Sequence, residues 1–428
     1  MSFSTRSASR ATSSTLRPVA LKFEVAKALR KSAAIGGPAF LFKNNGTDFP
    51  LVGGVYNTRA KALIALESTE ATVVERILRG LSKRIPPEVV KDAPVHENII
   101  TGNGIDLSAL PVPKYSPDDG GPYITPGIVV SKDPKTGVPD IGHYRFEIID
   151  RQTMSFNALG SDPSPRWDVE VPARAEVVIE FEADFTKEVS EGPLGEYTGY
   201  YTPASPKPIA RVKAITHRSG AYFQGLLTGV PPTENHILKQ LPFEASFLAM
   251  MRKQFPTIER VAIPPSGGVS FYIVMSMKPR YAGDARSALL AAISTNLRPK
   301  TVIVVDPDID VHSSDQVEWA TAFRMQPERD VIIVDSVPAG PLDPSVDDSI
   351  ALDARTGSAI GIDATYPFGA EIKSATEVPA AGHLCGPAVA EHGHEFFEVA
   401  AVPGWQEYDF PELRNRGSKS PRVQDESA

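Results

Sequence analysis

The sequence predicts a multidomain α/β (α+β) protein, and three observations carry that prediction. The chain has 428 residues, more than one hydrophobic core ordinarily serves, so two or three domains are expected. Its opening and its last third alternate helical and strand periodicity, whereas its middle is a series of short β-rich runs separated by Gly, Pro and Asp. At 42% hydrophobic and 22% charged residues it is ordinary globular material, which leaves periodicity rather than composition to decide the class.

Taken in order, the first 23 residues hold no Asp or Glu, carry Arg6, Arg10 and Arg17, and are rich in Ser and Thr. That suits a mitochondrial transit peptide and equally a disordered leader over residues 1–20 of a cytoplasmic protein. From Leu21 to Ser32 apolar residues recur at helical spacing, and Gly36-Gly-Pro38 ends that helix before a strand at Ala39–Lys43. A second helix is expected from Thr69 to Leu81, with Thr69 as its cap, so residues 21–95 read as an N-terminal α/β domain. Near Pro94 the texture changes. Runs at Ile128–Ser131, Tyr144–Ile149, Ala175–Phe181 and Ile209–Ile215 make residues 96–220 a β-barrel or sandwich.

Beyond Pro231 lie a helix carrying Met250 and Met251 as core or interface residues, a helix at Ala285–Leu297 and a buried strand at Thr301–Val305. A helix at Ser314–Arg324 and a second buried strand at Val331–Val334 follow. Strand, helix, strand points to a βαβ unit in a mostly parallel sheet, giving a C-terminal α/β domain over residues 221–413 and a flexible tail over 414–428. No internal repeat is found.

Several functions are excluded or disfavoured early. No apolar run is long enough to span a bilayer. The net charge of −8, from 52 acidic and 44 basic residues, argues against a general nucleic-acid binder. The single cysteine, Cys385, rules out an internal disulfide and any multi-cysteine metal cage. Neither a P-loop nor a Gly-x-Gly-x-x-Gly dinucleotide fingerprint is present. Asp306, Asp308 and Asp310 at a strand end are expected in a hydrogen-bonded turn rather than around a cation. His383, Cys385, Glu391, His392, His394 and Glu395 have the side chains of a transition-metal site, but their spacing matches no standard one and a solvated loop is expected.

The most informative segment is Glu191-Gly-Pro-Leu-Gly-Glu196-Tyr-Thr-Gly-Tyr-Tyr201, where Gly192, Pro193 and Gly195 build a stiff turn between two carboxylates. Spacing alone allows a plain surface turn. It also allows two acids aimed at one spot, where neighbouring carboxylates push each other's proton affinities apart and leave one able to donate.

Five further motifs accompany it. Gly120-Gly-Pro-Tyr-Ile-Thr-Pro126 and Asp133-Pro-Lys-Thr-Gly137 lead to Asp140-Ile-Gly-His-Tyr-Arg145, and Lys300-Thr-Val-Ile-Val-Val-Asp-Pro-Asp-Ile-Asp-Val311 precedes Gly361-Ile-Asp-Ala-Thr365. In this order they resemble the UbiD-like family of reversible, non-oxidative decarboxylases that use prenylated FMN, from about Gly36 to about Pro367. The resemblance implies a central split β-barrel like that of flavin reductases, a small carboxylic acid as substrate, and a homo-oligomer associating through the C-terminal domain. It implies that Arg145 grips the substrate carboxylate, that Glu191 orients Arg145, and that Glu196 donates the proton. Asp140, Ile141, His143, Tyr144, Arg145 and Glu191 would line the cofactor, and Asp140 would ligate Mn2+ or Mg2+, with K+ as a further cation.

The chain departs from the family pattern in two places. Asp140 stands where the family has an asparagine. The stretch Arg151–Arg174 is shorter than its family counterpart, and no histidine occurs between His143 and His217. The family's metal histidine and glutamate therefore have no clear equivalents, although Glu170 or Glu176 could serve as the glutamate. Two readings stay open: a working decarboxylase with a trimmed cofactor site, or an impaired relative or accessory subunit that binds cofactor weakly. The substrate itself is not legible, because it depends on a pocket lining that needs three dimensions.

Overall fold

A computed structural model describes residues 18–370 of the protein except 84, 134, 157–168, 348 and 352. The leader up to residue 17, the centre of the shortened stretch, the His-rich segment around His392 and the tail lie outside the described residues.

The chain opens with α1 (Glu24–Ala34), whose Val25, Ala26, Leu29 and Ala33 are buried at helical spacing, with Glu24 in the first turn and Lys31 in the last to suit the helix dipole. β1 (Phe40–Phe42) and β2 (Leu51–Gly53) pair antiparallel. Two helices follow, α2 (Arg59–Ala65) and α3 (Val73–Ser82). The sequence gives no sign of α2, which is seven residues long and buries only Ala62 and Leu63. α3 starts after Thr72 rather than Thr69; the Thr69 N–H donates to Thr72 Oγ1 at 3.0 Å, so Thr69 belongs to the preceding turn.

The middle segment contains β3 (Asn98–Thr101), β4 (Tyr123–Lys132), β5 (Pro139–Glu147), β6 (Thr153–Ser155), β7 (Val177–Glu191), β8 (Leu194–Gly195), β9 (Tyr201–Thr202), β10 (Ser205–His217) and β11 (Phe223–Gln224). β10 is its spine, pairing antiparallel with β7 along most of its length and with β3 and β6 over shorter spans. β4 and β5 form a separate hairpin, β8 and β9 a short one, and β11 joins β2 in parallel, so that the middle segment completes the first sheet. Among the described residues these sheets do not close into a barrel. One apolar cluster runs through both segments, from Val25, Leu29 and Leu51 to Tyr123, Phe146, Phe156 and Ile215.

The last third comprises α4 (Glu234–Arg252), β12 (Ile258–Ala262), β13 (Tyr272–Met277), α5 (Asp284–Ile293), β14 (Thr301–Val305), α6 (Ser314–Arg324), α7 (Pro327–Asp330), β15 (Val331–Pro338) and β16 (Thr356–Ala364). Its sheet runs β12-β13-β14-β16-β15, with β13, β14 and β16 parallel and both edges antiparallel. Strand alternation builds two cores. Ile273, Met275, Val302 and Val304 pack with Phe247, Leu248 and Met251 of α4 and Ala288 and Leu289 of α5. Val274, Ile303 and Val305 pack with Val317 and Ala320 of α6. Three layers result.

Two expectations are corrected here. The run at Val331–Val334 is not a buried parallel strand but the start of the antiparallel edge β15, where Ile333 is 74% exposed. The parallel neighbours of β14 are β13 and, on the side where Val331–Val334 is expected, β16, which passes through Gly361-Ile-Asp-Ala. Of the methionine pair, Met251 is buried in the core and Met250 is exposed. Asp306 and Asp308 are gripped by the buried Arg324, at 2.8 Å and 2.6 Å, and Asp310 accepts the His312 N–H at 3.0 Å, which makes this strand end an arginine-clamped turn. No helix among the described residues is long and apolar enough to cross a membrane.

Candidate active site

On a strand, successive side chains alternate between faces, so β5 sends Ile141, His143, Arg145 and Glu147 one way and Asp140, Tyr144 and Phe146 the other. Phe146 and Tyr144 turn into an aromatic cluster with Phe156 and Phe181. Arg145 faces the turn that follows β7. Its Nε and Nη2 meet the two oxygens of Glu191 at 3.0 Å and 3.2 Å, a two-pronged grip, and its Nη1 donates to Glu196 Oε1. Glu196 also accepts from the Thr202 hydroxyl at 3.3 Å. The structure thus brings together Arg145, Glu191 and Glu196.

The two acids are not equivalent. Glu191 is 0% exposed, whereas Glu196 and Arg145 retain some access to solvent. Behind Glu191 stands a layer to which the sequence analysis assigned no role. The Tyr123 hydroxyl lies 2.9 Å from Glu147 Oε2 and 3.1 Å from Glu191 Oε1, and Glu147 Oε2 also accepts the Gly192 N–H at 2.9 Å. Burial first, and the two carboxylates second, raise the Tyr123 phenol far above its ordinary value, so it stays protonated and offers its one O–H between the two acids. Glu147 was legible in principle, being two residues along the same strand face as Arg145. Tyr123 lies inside the Gly120–Pro126 motif, whose purpose now becomes plain. A Cβ on Gly120 would stand 2.5 Å from the Gly192 carbonyl oxygen and 2.6 Å from Glu147 Oε1. Only glycine lets the two segments approach this closely.

The turn is held from the same side. Gly192 adopts φ 97°, the Gly120 N–H donates to the Pro193 carbonyl at 2.8 Å, and buried Asp119 accepts the N–H groups of Ser116 at 2.7 Å and Gly195 at 3.2 Å. A cavity of about 280 Å³ opens elsewhere, lined by Glu182 to Thr186 and Arg211, and includes none of the three.

The remaining expected site residues divide. Ile141 and His143 lie on the Arg145 face but are exposed; Asp140 is exposed on the opposite face, and Tyr144 is partly buried on that face. In register, Ile128 pairs with His143 and Val130 with Ile141, so the Arg145 face continues outward as an apolar strip with Ile128 70% and Ile141 69% exposed. A flat ring such as a flavin's could rest a face on such a strip. The donor set for a metal does not fit. Among the described residues no three His, Cys, Asp or Glu side chains gather around a common point. Glu170 is drawn to Lys132 at 3.7 Å, and Glu176 accepts the Tyr222 N–H at 3.0 Å beside Arg218.

Residues 14–81 match the N-terminal domain of 3-octaprenyl-4-hydroxybenzoate carboxy-lyase, 88–164 and 160–231 match its Rift-related domain in two pieces, and 236–364 match its C-terminal domain. Among solved structures, the UbiD-class enzyme HmfF from Pelotomaculum thermopropionicum in complex with FMN superposes with a TM-score of 0.77 at 28% identity, over 86% of this chain and 93% of that one. An evolved dimeric form of that enzyme in complex with prFMN gives 0.73 at 28% identity, over 84% and 92%. Vanillic acid decarboxylase from Sedimentibacter hydroxybenzoicus in its open form gives 0.76 at 25% identity, over 89% and 94%.

Proposed function

This chain belongs to the UbiD family of carboxy-lyases, and from that membership we propose that it removes CO2 reversibly from an aromatic or α,β-unsaturated carboxylic acid, with prenylated FMN as cofactor and Glu196 as proton donor. The observation that carries the reading is Arg145 held between a sealed glutamate and an accessible one.

Arg145 is the grip for the substrate carboxylate. Glu191 fixes its guanidinium from behind through two hydrogen bonds, leaving the edge now facing Glu196 as the one a carboxylate can take. When the bond to the carboxyl carbon breaks, CO2 leaves and its electron pair remains on the substrate carbon. Glu196 then gives that carbon a proton and regains one from water. Prenylated FMN, when bound, supplies the electron sink that side chains lack; Ile128, Ile141 and His143 would lie against it. The placement of the two acids supports this division of roles: Glu191 is sealed behind the guanidinium, whereas Glu196 keeps access to the solvent that would return its proton. A homo-oligomer is the assembly this reading expects.

Glu196→Gln tests it. The substitution keeps shape and removes the acid, so turnover should fall roughly 10²- to 10⁴-fold while the melting temperature stays close to that of the parent. Unchanged turnover would remove Glu196 from the mechanism.

A second reading, an impaired homologue or accessory subunit, is favoured by one observation. The Rift-related match breaks into two pieces at residues 160–164, inside the stretch that reads as shortened. Release of flavin from the denatured chain, followed by absorbance and mass, separates the two. A near-stoichiometric amount supports the enzyme.

A further inference from the structure

We propose that His236, in the first turn of α4, is a positioning residue for Glu196, pinning the acid's turn through the carbonyl of Tyr197. The inference rests on the reading of Glu196 as the proton donor.

The peptide groups around Glu196 are fixed one by one. Its own N–H donates to the Tyr200 carbonyl at 2.9 Å, and its carbonyl accepts the Gly199 N–H at 2.9 Å. The Gly195 N–H before it goes to Asp119 at 3.2 Å. The Tyr197 carbonyl after it lies 2.6 Å from His236 Nε2. The first two contacts are internal to the turn and the third comes from the adjoining middle segment. His236 brings in the C-terminal segment, whose family match begins at residue 236. The Tyr197 ring is seated on the same helix, with Lys239 Nζ 3.9 Å from its centroid and the His236 imidazole edge-on at 6.1 Å.

The tautomer follows by elimination. A carbonyl oxygen only accepts, so Nε2 carries the hydrogen. On the other side Nδ1 lies 3.1 Å from the Thr233 N–H and 2.7 Å from the Thr233 hydroxyl. Because the N–H can only donate, Nδ1 accepts and the ring is uncharged. Thr233 Oγ1 in turn accepts the His236 N–H, completing a reciprocal cap. His236 is 0% exposed. Burial chiefly, with the positive charges of Lys239 and Arg30 adding to it and the Tyr197 carbonyl opposing, lowers its affinity for a second proton to a value of about 4, in keeping with this geometry. A ring with one hydrogen, aimed at one backbone atom beside the acid, holds a catalytic group in place without touching substrate.

The experiment compares His236→Ala with His236→Gln, whose amide offers a donor at similar reach. Hydrogen–deuterium exchange of the segment 192–201 should quicken at least about tenfold in His236→Ala and return most of the way in His236→Gln. Turnover should follow, with kcat down roughly 10- to 100-fold in His236→Ala at nearly unchanged KM and largely recovered in His236→Gln. Unchanged exchange across 192–201 in His236→Ala overturns the proposal. Should His236→Ala not fold, the 15N shifts of His236 in the native chain decide: hydrogen on Nε2 alone supports the assignment, and hydrogen on Nδ1 overturns it. If the turn loosens as expected but the parent chain decarboxylates no acid, the pin stands and the reading of Glu196 falls.

Discussion

Arg145 has two carboxylates to satisfy, and their unequal burial sets what each can do. Glu191 has no access to water and both oxygens bonded to the guanidinium, so removing the cation strands a buried charge. Arg145→Met should therefore destabilise the chain by about 3–5 kcal/mol in a chemical denaturation series. Arg145→Lys should cost less stability, yet raise KM for the carboxylate substrate, because an ammonium cannot hold two oxygens in one plane. Equal stabilities of the two variants would show that the pair contributes nothing as an ion pair. At this scale the proximity of Arg145, Glu191 and Glu196 was legible, because the two glutamates flank one stiff turn and the arginine lies in a second motif that precedes it in fixed order. It misled where neighbours along β5 were grouped together, since Asp140 and Tyr144 point away from Arg145 by the alternation of the strand. Of the residues that back the site, Glu147 gave no signal beyond that alternation, and Tyr123 none beyond its place in the Gly120–Pro126 motif.

Elements differed in how plainly they announced themselves. β14 was read over its true span, Thr301–Val305, because an unbroken Val/Ile run bounded by Lys300 and Asp306 suits a strand buried on both faces. α6 was equally clear, with the Ser313 side chain accepting the Gln316 N–H at its start. β15 shows the limit of such reading: Val331–Val334 has the same composition, but only the partner strand decides whether a run is central or an edge. α4 carries a testable consequence of its buried cap. His236 holds no second proton in the folded state until about pH 4, whereas the unfolded side chain takes one near its ordinary value of 6.5. Between those values the unfolded state binds more protons, so stability rises with pH across the window and is lost as the pH falls. The stability advantage of the parent over His236→Gln should shrink by roughly 3 kcal/mol between pH 7 and pH 4 in urea denaturation. A constant difference would place the imidazole's lost proton affinity elsewhere.

For the molecule as a whole, the order of the segments was legible, and their separation was not. The first and second share one apolar cluster, and β11 crosses back to complete the opening sheet, contacts that no local pattern reports. The metal question also belongs at this scale, because ligands are gathered from distant segments. Among the described residues no three-donor group exists, so 1 mM Mn2+ should move the melting temperature by less than about 1 °C, where a site filled to 100 times its Kd would add about 2.7 kcal/mol. A shift of several degrees would assign the ligands to residues outside those described. The C-terminal sheet has one further property. Its last strand, β15, breaks register between Val334 and Val337, places Ser336 at φ 54° and ends on Pro338, which has no N–H to offer. An incoming strand would find a usable ladder only along the first few residues, beside the exposed Ile333, and then a kink and a missing donor. The kink and the missing donor thereby limit any ladder on this edge to a few residues, which leaves a fibre growing by shared backbone hydrogen bonds little to hold there.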